Sequence, residues 1–316
     1  MIGRRQLLPF AILAAARRAP AAEPPTSRGP IATADLFIRD PFVVPVPDER
    51  RYYLFGTGGR NKDAPGFNAY LSRDLATWEV RSAFDPPEGG WADRDYGAPK
   101  VHPYHGAWYL FFSHKTPAAC RATQILVAAS PGGPYRPHSQ SAVTPRDWEC
   151  LGGTLYVGEA GVPWLVFCHE GDPAHGGAIC ARRLAPDLAS AAGRPLLLFK
   201  ASEAPWAPRE KALVADGLFL HRAANGHLLL LWSGNGEAGP TLGVARSRSG
   251  SITGPWTHDP DPIRRGDGGH GMLFTTFDGR LHLALHAPNG GGRERARFIP
   301  VREEEGRLVV AADARR

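Results

Sequence analysis

Short apolar runs separated by turn residues recur along most of this chain. Five of them are alike, each an apolar or aromatic strand entered from a turn, at residues 51–57, 107–113, 162–168, 227–233 and 280–286. Their last residues are spaced 56, 55, 65 and 53 apart. Runs this short predict β-strands, and the near-constant spacing predicts a repeated structural unit.

Further strand-like segments lie before and after the shared strand in the repeats. Several short strands in each of five repeats predict an all-β fold, a five-bladed β-propeller with four-stranded antiparallel blades, over residues 35–316. An open β-sandwich would not explain the spacing. Because the first strand of each blade lies nearest the axis, we expect the leading ends of these strands to converge on one pocket. The residues at these positions are Asp40, Pro99, Lys100, Gly152, Asp216 and His270.

The N-terminus has the pattern of an export signal. Arg4 and Arg5 precede an apolar run over residues 7–16, and residues 19–21 offer a cleavage site between small side chains. We predict a signal peptide at residues 1–21, of the twin-arginine or the ordinary secretory type, and a linker at 22–34. A disordered tail is the alternative. The run is too short to span a bilayer of about 30 Å, so we expect periplasmic or extracellular export without stable membrane insertion.

Composition narrows the function further. The 37 Gly and 30 Pro residues in 316 favour an all-β chain cut by turns. The net charge of +6 is not focused in a basic stripe, so nucleic acid is not an expected partner. The four cysteines match no zinc motif. Cys168 and Cys180 flank a predicted hairpin, where they would form either a disulfide or two buried thiols.

Five segments resemble, in order, the motifs of glycoside hydrolase family 43, and they are Arg39-Asp40-Pro41, 97–101, 152–156, Asp216-Gly217 and 267–271. The resemblance covers about residues 35 to 310. It implies that Asp40 is the general base, that Asp216 is the general acid, and that His270 holds a central cation such as Ca²⁺, directly or through water. It implies no organic cofactor. The expected substrates are oligo- or polysaccharides with α-L-arabinofuranosyl or β-D-xylosyl units.

The implied chemistry is inversion. One carboxylate activates water while a protonated carboxyl donates to the leaving oxygen, and the two lie about 6.5–9.5 Å apart. Three positions depart from the family pattern. Gly97 removes an aromatic wall, Lys100 replaces an acid, and Gly152 removes the third carboxylate, which tunes the acid. Gly152→Asp is therefore expected to raise activity.

Other residues could compensate or bind sugar. Glu149 and Glu170 are alternative acids for a glycosidase of altered substrate, and a carbohydrate-binding propeller that no longer cleaves is a second alternative. Aromatic and polar side chains near the predicted axial face are candidate sugar contacts. The substrate-binding candidates are Arg39, Trp91, Lys100, Glu149, Glu170, Trp206, His286 and Arg295, with Asn289 beside them. Trp164 and Trp232 are expected in the core.

Overall fold

The computed structural model describes residues 29–58, 65–87, 94–116, 119–170, 177–208 and 214–310. The predicted signal peptide, most of the predicted linker and the candidate sugar contact Trp91 lie outside these residues. In the described part of the chain, no helix is both long and apolar enough to cross a membrane.

The described strands form five antiparallel sheets, each built from consecutive strands. Blade 1 contains β1 (Ile31–Ala32), β2 (Arg39–Val46), β3 (Arg51–Thr57), β4 (Phe67–Ser72) and β5 (Thr77–Phe84). Blade 2 contains β6 (Arg94–Tyr104), β7 (Ala107–Thr116), β8 (Ala119–Ala128) and β9 (Arg136–Pro137). Blade 3 contains β10 (Glu149–Val157), β11 (Pro163–Glu170), β12 (Ala178–Leu184) and β13 (Ala191–Lys200).

Blade 4 contains β14 (Asp216–Arg222), β15 (Leu228–Gly236), β16 (Gly239–Ser247) and β17 (Trp256–His258). Blade 5 contains β18 (Gly269–Thr275), β19 (Leu281–Ala287), β20 (Arg295–Glu304) and β21 (Arg307–Val310). Single 3₁₀ turns cover Pro47–Glu49, Glu159–Gly161 and Ala201–Glu203. The predicted five-bladed propeller is confirmed. Blade 1 gains β1 as a fifth strand beside β5, so the propeller begins at residue 31.

Hydrophobic clusters between neighbouring blades form the core. Trp232 is fully buried between blades 3 and 4, as expected from its place in an apolar strand. Alternate residues of a strand face opposite sides of its sheet, so each inner strand of a blade can contribute to two interblade layers.

The pairing of β11 with β12 determines whether Cys168 and Cys180 can form a disulfide. Phe167 pairs with Cys180, and Cys168 pairs with Ile179. Cys168 and Cys180 are therefore offset by one residue and lie on opposite faces of blade 3. The structure contains all four cysteines as free thiols. The disulfide alternative is wrong, and the alternative of two buried thiols is confirmed.

Each innermost strand carries a bulge near its start, where its register with the next strand shifts. One residue of each bulge has a positive φ, and these residues are Asp40 (53°), Ala98 (48°), Gly152 (67°), Gly217 (63°) and His270 (55°). A bulge bends its strand and redirects side chains. The same device in five blades brings five backbone corners together at the axis.

Hydrogen bonds between blades join these corners. The last residue of each of the five similar segments faces the bulge of the next blade, and in four cases it accepts that bulge's backbone N–H. The four bonds are Ala98 N to Thr57 Oγ1 (2.7 Å), Gly152 N to Ser113 Oγ (3.0 Å), His270 N to Ser233 Oγ (2.9 Å) and Asp40 N to His286 Nδ1 (3.1 Å). We call them the interblade links. At the remaining joint the segment ends in Cys168, and Gly217 N–H donates instead to Asp216 Oδ1 at 2.7 Å.

Candidate active site

Two carboxylates meet at the axis on either side of one imidazole. His270 Nδ1 lies 3.1 Å from Asp40 Oδ1, and His270 Nε2 lies 3.2 Å from Asp216 Oδ2. Burial disfavours the imidazolium, but the adjacent Asp216 and Asp40 outweigh it and raise the pKa of His270. His270, from blade 5, thus contacts a carboxylate of blade 1 on one side and a carboxylate of blade 4 on the other.

Besides His270, two groups hold Asp40 in place. Thr57 Oγ1 donates to its Oδ2 at 2.5 Å, and its backbone N–H makes the interblade link to His286. His286 Nε2 then donates to Asn289 Oδ1 at 3.0 Å, which fixes His286 as the neutral tautomer with its proton on Nε2. Burial, together with the charge of His270, lowers the pKa of His286 in agreement with this tautomer. The carboxylate of Asp40 therefore has a fixed orientation toward the axis.

Asp216 has both oxygens engaged. Oδ1 accepts from Gly217 N–H, and Oδ2 faces His270. Burial acts to raise the pKa of Asp216, but His270, the Gly217 N–H and the charge of Lys100 together lower it below its ordinary value. Asp216 Oδ1 also lies 2.7 Å from the point where a Cβ would stand on Gly152. Because Gly152 has no side chain, the Asp216 carboxylate can occupy this space.

Lys100 is buried beneath these carboxylates, with 5% of its surface exposed. Its Nζ donates to the carbonyl of Gly152 at 2.7 Å and to that of Leu218 at 2.8 Å, so it joins blades 2, 3 and 4. Burial lowers its pKa to about 8, opposed by the charges of Asp216 and Asp40. This environment corrects its predicted role, because a buried lysine that donates to main-chain carbonyls does not contact substrate.

Two further carboxyl groups lie side by side at the end of blade 3, where Glu149 pairs with Glu170 across β10 and β11. Glu149 accepts from Lys115 Nζ at 2.8 Å and from Arg121 N–H at 2.9 Å. Burial opposes these contacts, but they lower its pKa. Glu170 differs, because burial and then the charge of Asp216 raise its pKa to about 7. Of this pair, only Glu170 has the titration range of a proton donor.

Three other predicted sugar contacts have structural positions. Trp206 is 6% exposed and packs on Trp232 with ring centroids 4.7 Å apart, so its prediction as a platform is wrong. His286 is 1% exposed and supports Asp40 from below. Arg295 donates to the carbonyls of Ala34 and Glu294 at the seam between blades 1 and 5. These side chains stabilise the propeller rather than forming its sugar-binding surface.

The role of Arg39 as a substrate contact stays a prediction. Arg39 is partly exposed and lies next to Asp40 at the start of β2. Its guanidinium donates to Glu294 Oε1 at 2.8 Å and to Asn289 Oδ1 at 3.2 Å. This network orients Arg39 at the blade 1–5 seam. Trp164, expected in the core, is only half-buried and stacks under Arg183.

The ligand atoms around His270 bear on the cation predicted there. Among the described residues, Asp40, His270 and His286 are the one group whose ligand atoms are close enough to hold a metal, all within 4.8 Å. Yet both nitrogens of His270 face carboxylates, and both nitrogens of His286 are hydrogen-bonded. Ca²⁺ prefers oxygen ligands. This donor set does not fit a directly bound Ca²⁺.

The sequence motifs did not identify Thr57, Ser113 and Ser233 as part of the site. A signal was present, because these polar residues end three of the five apolar segments that define the repeat. A polar side chain at a fixed place in an otherwise apolar repeat indicates a repeated hydrogen bond. Glu294 left no comparable signal, since its partner Arg39 lies 255 positions away.

A five-bladed propeller with catalytic-type carboxylates grouped at its axis belongs to the class of propeller-fold glycoside hydrolases. The family model for glycosyl hydrolases family 43 matches residues 28–302. The chain is a member of glycoside hydrolase family 43.

Solved structures agree with this assignment. An endo-arabinase from Bacteroides thetaiotaomicron VPI-5482 is 38% identical with a TM-score of 0.81, over 87% of this chain and 98% of that chain. An endo-1,4-beta-xylanase from the same organism is 23% identical with a TM-score of 0.76, over 90% and 97%. An alpha-L-arabinofuranosidase from Lactobacillus brevis is 16% identical with a TM-score of 0.70, over 85% and 91%. The last two show the fold alone. A comparison with curated proteins gave no match.

Proposed function

We propose that the protein is an exported glycosidase that cleaves arabinofuranosyl or xylosyl linkages in plant or cell-wall polysaccharide with inversion. The observation that carries this proposal is the placement of Asp40 and Asp216 on opposite sides of His270. Two contacts of 3.1 and 3.2 Å and one imidazole ring separate the carboxylates. Inversion requires two carboxyl groups that stand roughly 6.5–9.5 Å apart, rather than in contact, to leave room for the attacking water.

Asp40 is the general base in this proposal. Thr57 and His270 fix its carboxylate, so that it can take a proton from a water molecule beside the anomeric carbon. The sequence assigns the acid to Asp216. Its hydrogen bonds and its lowered pKa favour the ionised form, and these contacts weaken it as a proton donor.

Arabinan is the first substrate class to test, because the 38% identical structure is that of an endo-arabinase. The proposed export rests on the N-terminal pattern. Mass spectrometry of the exported protein checks it, since a chain beginning near residue 22 is expected and an uncleaved intracellular chain would contradict it.

A carbohydrate-binding propeller without activity is the second candidate. Two basic groups, His270 and Lys100, lie beside the axial carboxylates, and both act to lower the pKa of Asp216, which favours its ionised form over a proton donor. The contacts that weaken Asp216 as an acid are the observation that favours this alternative.

A substrate panel separates the two candidates. Arabinan, xylan and the nitrophenyl glycosides of arabinofuranose and xylose are incubated with the mature protein and with Asp40→Asn. We expect cleavage by the wild type and a loss of about 10²–10⁴-fold in Asp40→Asn, the usual contribution of a general base. Asp48→Asn, in the exposed turn at the other end of the same hairpin, is the matched control and should keep full activity. Glycan binding without cleavage would establish the binding function instead.

A further inference from the structure

Two residues around Asp216, Cys168 and Gly152, fix the position of its carboxylate. The interblade link to blade 4 is missing because Cys168, whose thiol is a weak acceptor, ends the blade-3 segment. Gly217 N–H instead donates a hydrogen bond to Asp216 Oδ1. Gly152 leaves the room that this position of the carboxylate needs. With Oδ2 facing His270, both oxygens of Asp216 have partners within the protein.

The register of β11 places another carboxyl group above Asp216. Cys168 faces blade 4 and packs in the cluster that contains Ala215, Leu218 and Trp232. Glu170 follows two residues later on the same strand, so it shares this face. A strand rises about 3.3 Å per residue, which puts Glu170 some 6–7 Å closer to the pocket mouth than Cys168. Glu170 therefore lies beyond Cys168 on the face of blade 3 that is turned toward blade 4, where the charge of Asp216 acts on it.

The charged groups around Glu170 favour its protonated form. Burial acts first, then the negative charges of Asp216 and Glu149, and Arg121 opposes them. Lys115 and the Arg121 N–H favour the ionised form of Glu149, so it does not compete as a donor. The result is a pKa of about 7 for Glu170, close to the operating range that suits a general acid.

We propose that Glu170 is the proton donor of this enzyme and that Asp216 is the fixed negative charge that keeps Glu170 protonated. The proposal rests on the proposed glycosidase function and deepens it. Asp40 takes a proton from water while the water oxygen bonds to the anomeric carbon. The glycosidic C–O bond breaks, and its oxygen receives the proton of Glu170. Asp40 ends protonated and Glu170 ionised, and exchange with solvent restores both.

Leaving-group dependence tests the assignment. Nitrophenol departs without protonation, whereas an alcohol of a polysaccharide requires it. Glu170→Gln should lose about 10²–10⁴-fold in kcat/KM on arabinan or xylan and only a few-fold on a nitrophenyl glycoside. Asp216→Asn should move the alkaline limb of the pH profile downward, because Glu170 loses the charge that raises its pKa. Glu159→Gln, an exposed change in the turn at the other end of the same blade-3 hairpin, is the matched control and should behave as the wild type.

Three outcomes overturn the assignment in different ways. If Glu170→Gln retains wild-type activity on arabinan and xylan, Glu170 is not the donor, although the glycosidase function stands. If Asp216→Asn shows the selective loss at every pH, Asp216 is the acid. If the wild type cleaves no substrate, the proposed function fails first.

A direct titration does not depend on turnover. Infrared or carbon NMR difference spectra of wild type against Glu170→Gln should show one carboxyl group that titrates near pH 7. The same group should titrate at lower pH in Asp216→Asn. A Glu170 carboxyl that titrates near pH 4 in the wild type would contradict the proposal.

Discussion

The axial pocket sets two carboxylates, Asp40 and Asp216, against the side chains of His270 and Lys100. Buried charges are tolerated when they are paired or hydrogen-bonded. His270 contacts both carboxylates, and Lys100 donates to two carbonyls below them. With Gly152 in place of a third carboxylate, the two carboxylates at the floor of the pocket are balanced by two basic side chains of the same chain.

This balance leads to a prediction for Gly152→Asp that reverses the expectation from the motif. Asp40 has a φ of 53° at the corresponding bulge, so an aspartate tolerates the backbone there. The obstacle is Asp216, whose Oδ1 lies 2.7 Å from the position of the new Cβ. We expect no gain in activity and a loss of about 1–3 kcal/mol in unfolding free energy. Denaturant titration measures it.

Gly152→Asn is the uncharged control of the same size. It should be destabilising through the same steric conflict, but less so than Gly152→Asp at neutral pH, because it adds no second negative charge beside Asp216. A rise in kcat/KM for Gly152→Asp would show that the Asp216 carboxylate moves away without cost.

At this scale the sequence predicted which residues reach the axis, but not what each one does there. Asp40, Asp216 and His270 meet as the motifs indicated. The prediction for Trp206 was wrong because an aromatic residue in a turn-rich segment indicates a loop. Its burial against Trp232 depends on a neighbouring blade, which local pattern does not reveal.

Among the elements, the ends of the five similar segments have a second role beyond packing. Four of them link one blade to the bulge of the next, and Cys168 is the exception. The sequence showed these ends, but their hydrogen bonds depend on strands from neighbouring blades. The disulfide alternative was wrong because of the register within blade 3, since a shift of one residue in pairing moves a side chain to the other face of the sheet.

The interblade link that is missing at Cys168 predicts the effect of Cys168→Ser. A serine hydroxyl at this position can accept the Gly217 N–H, as Ser113 and Ser233 do at their joints. Cys180→Ser is the matched control, because Cys180 is equally buried but lies on the opposite face of blade 3. We expect Cys168→Ser to lose about 1 kcal/mol less unfolding free energy than Cys180→Ser. Equal losses by denaturant titration would contradict the link.

For the whole molecule, the ring closes without exchange of strands between its ends. Blade 1 is made from the first described strands and blade 5 from the last. A backbone bridge between Phe37 and Arg295 joins the two ends. Side chains add to this seam, through Arg39 with Glu294, Arg295 with the Ala34 carbonyl, and His286 with the Asp40 N–H. The repeat spacing predicted the ring. The seam was beyond prediction, because its partners lie about 250 residues apart in sequence. Closure of the ring therefore supports Asp40 directly, because His286 lies in the seam and accepts the backbone N–H of Asp40.

Proton NMR of the first product formed tests the central claim that water attacks from the side of Asp40, opposite the leaving group. Wild-type protein is mixed with arabinan or xylan, and the anomeric signal is followed before mutarotation. A single displacement predicts that the first sugar has the anomeric configuration opposite to that of the bond cleaved. A first product with the original configuration would contradict the account, because it requires a covalent intermediate and a second carboxylate only about 5–5.5 Å from the first.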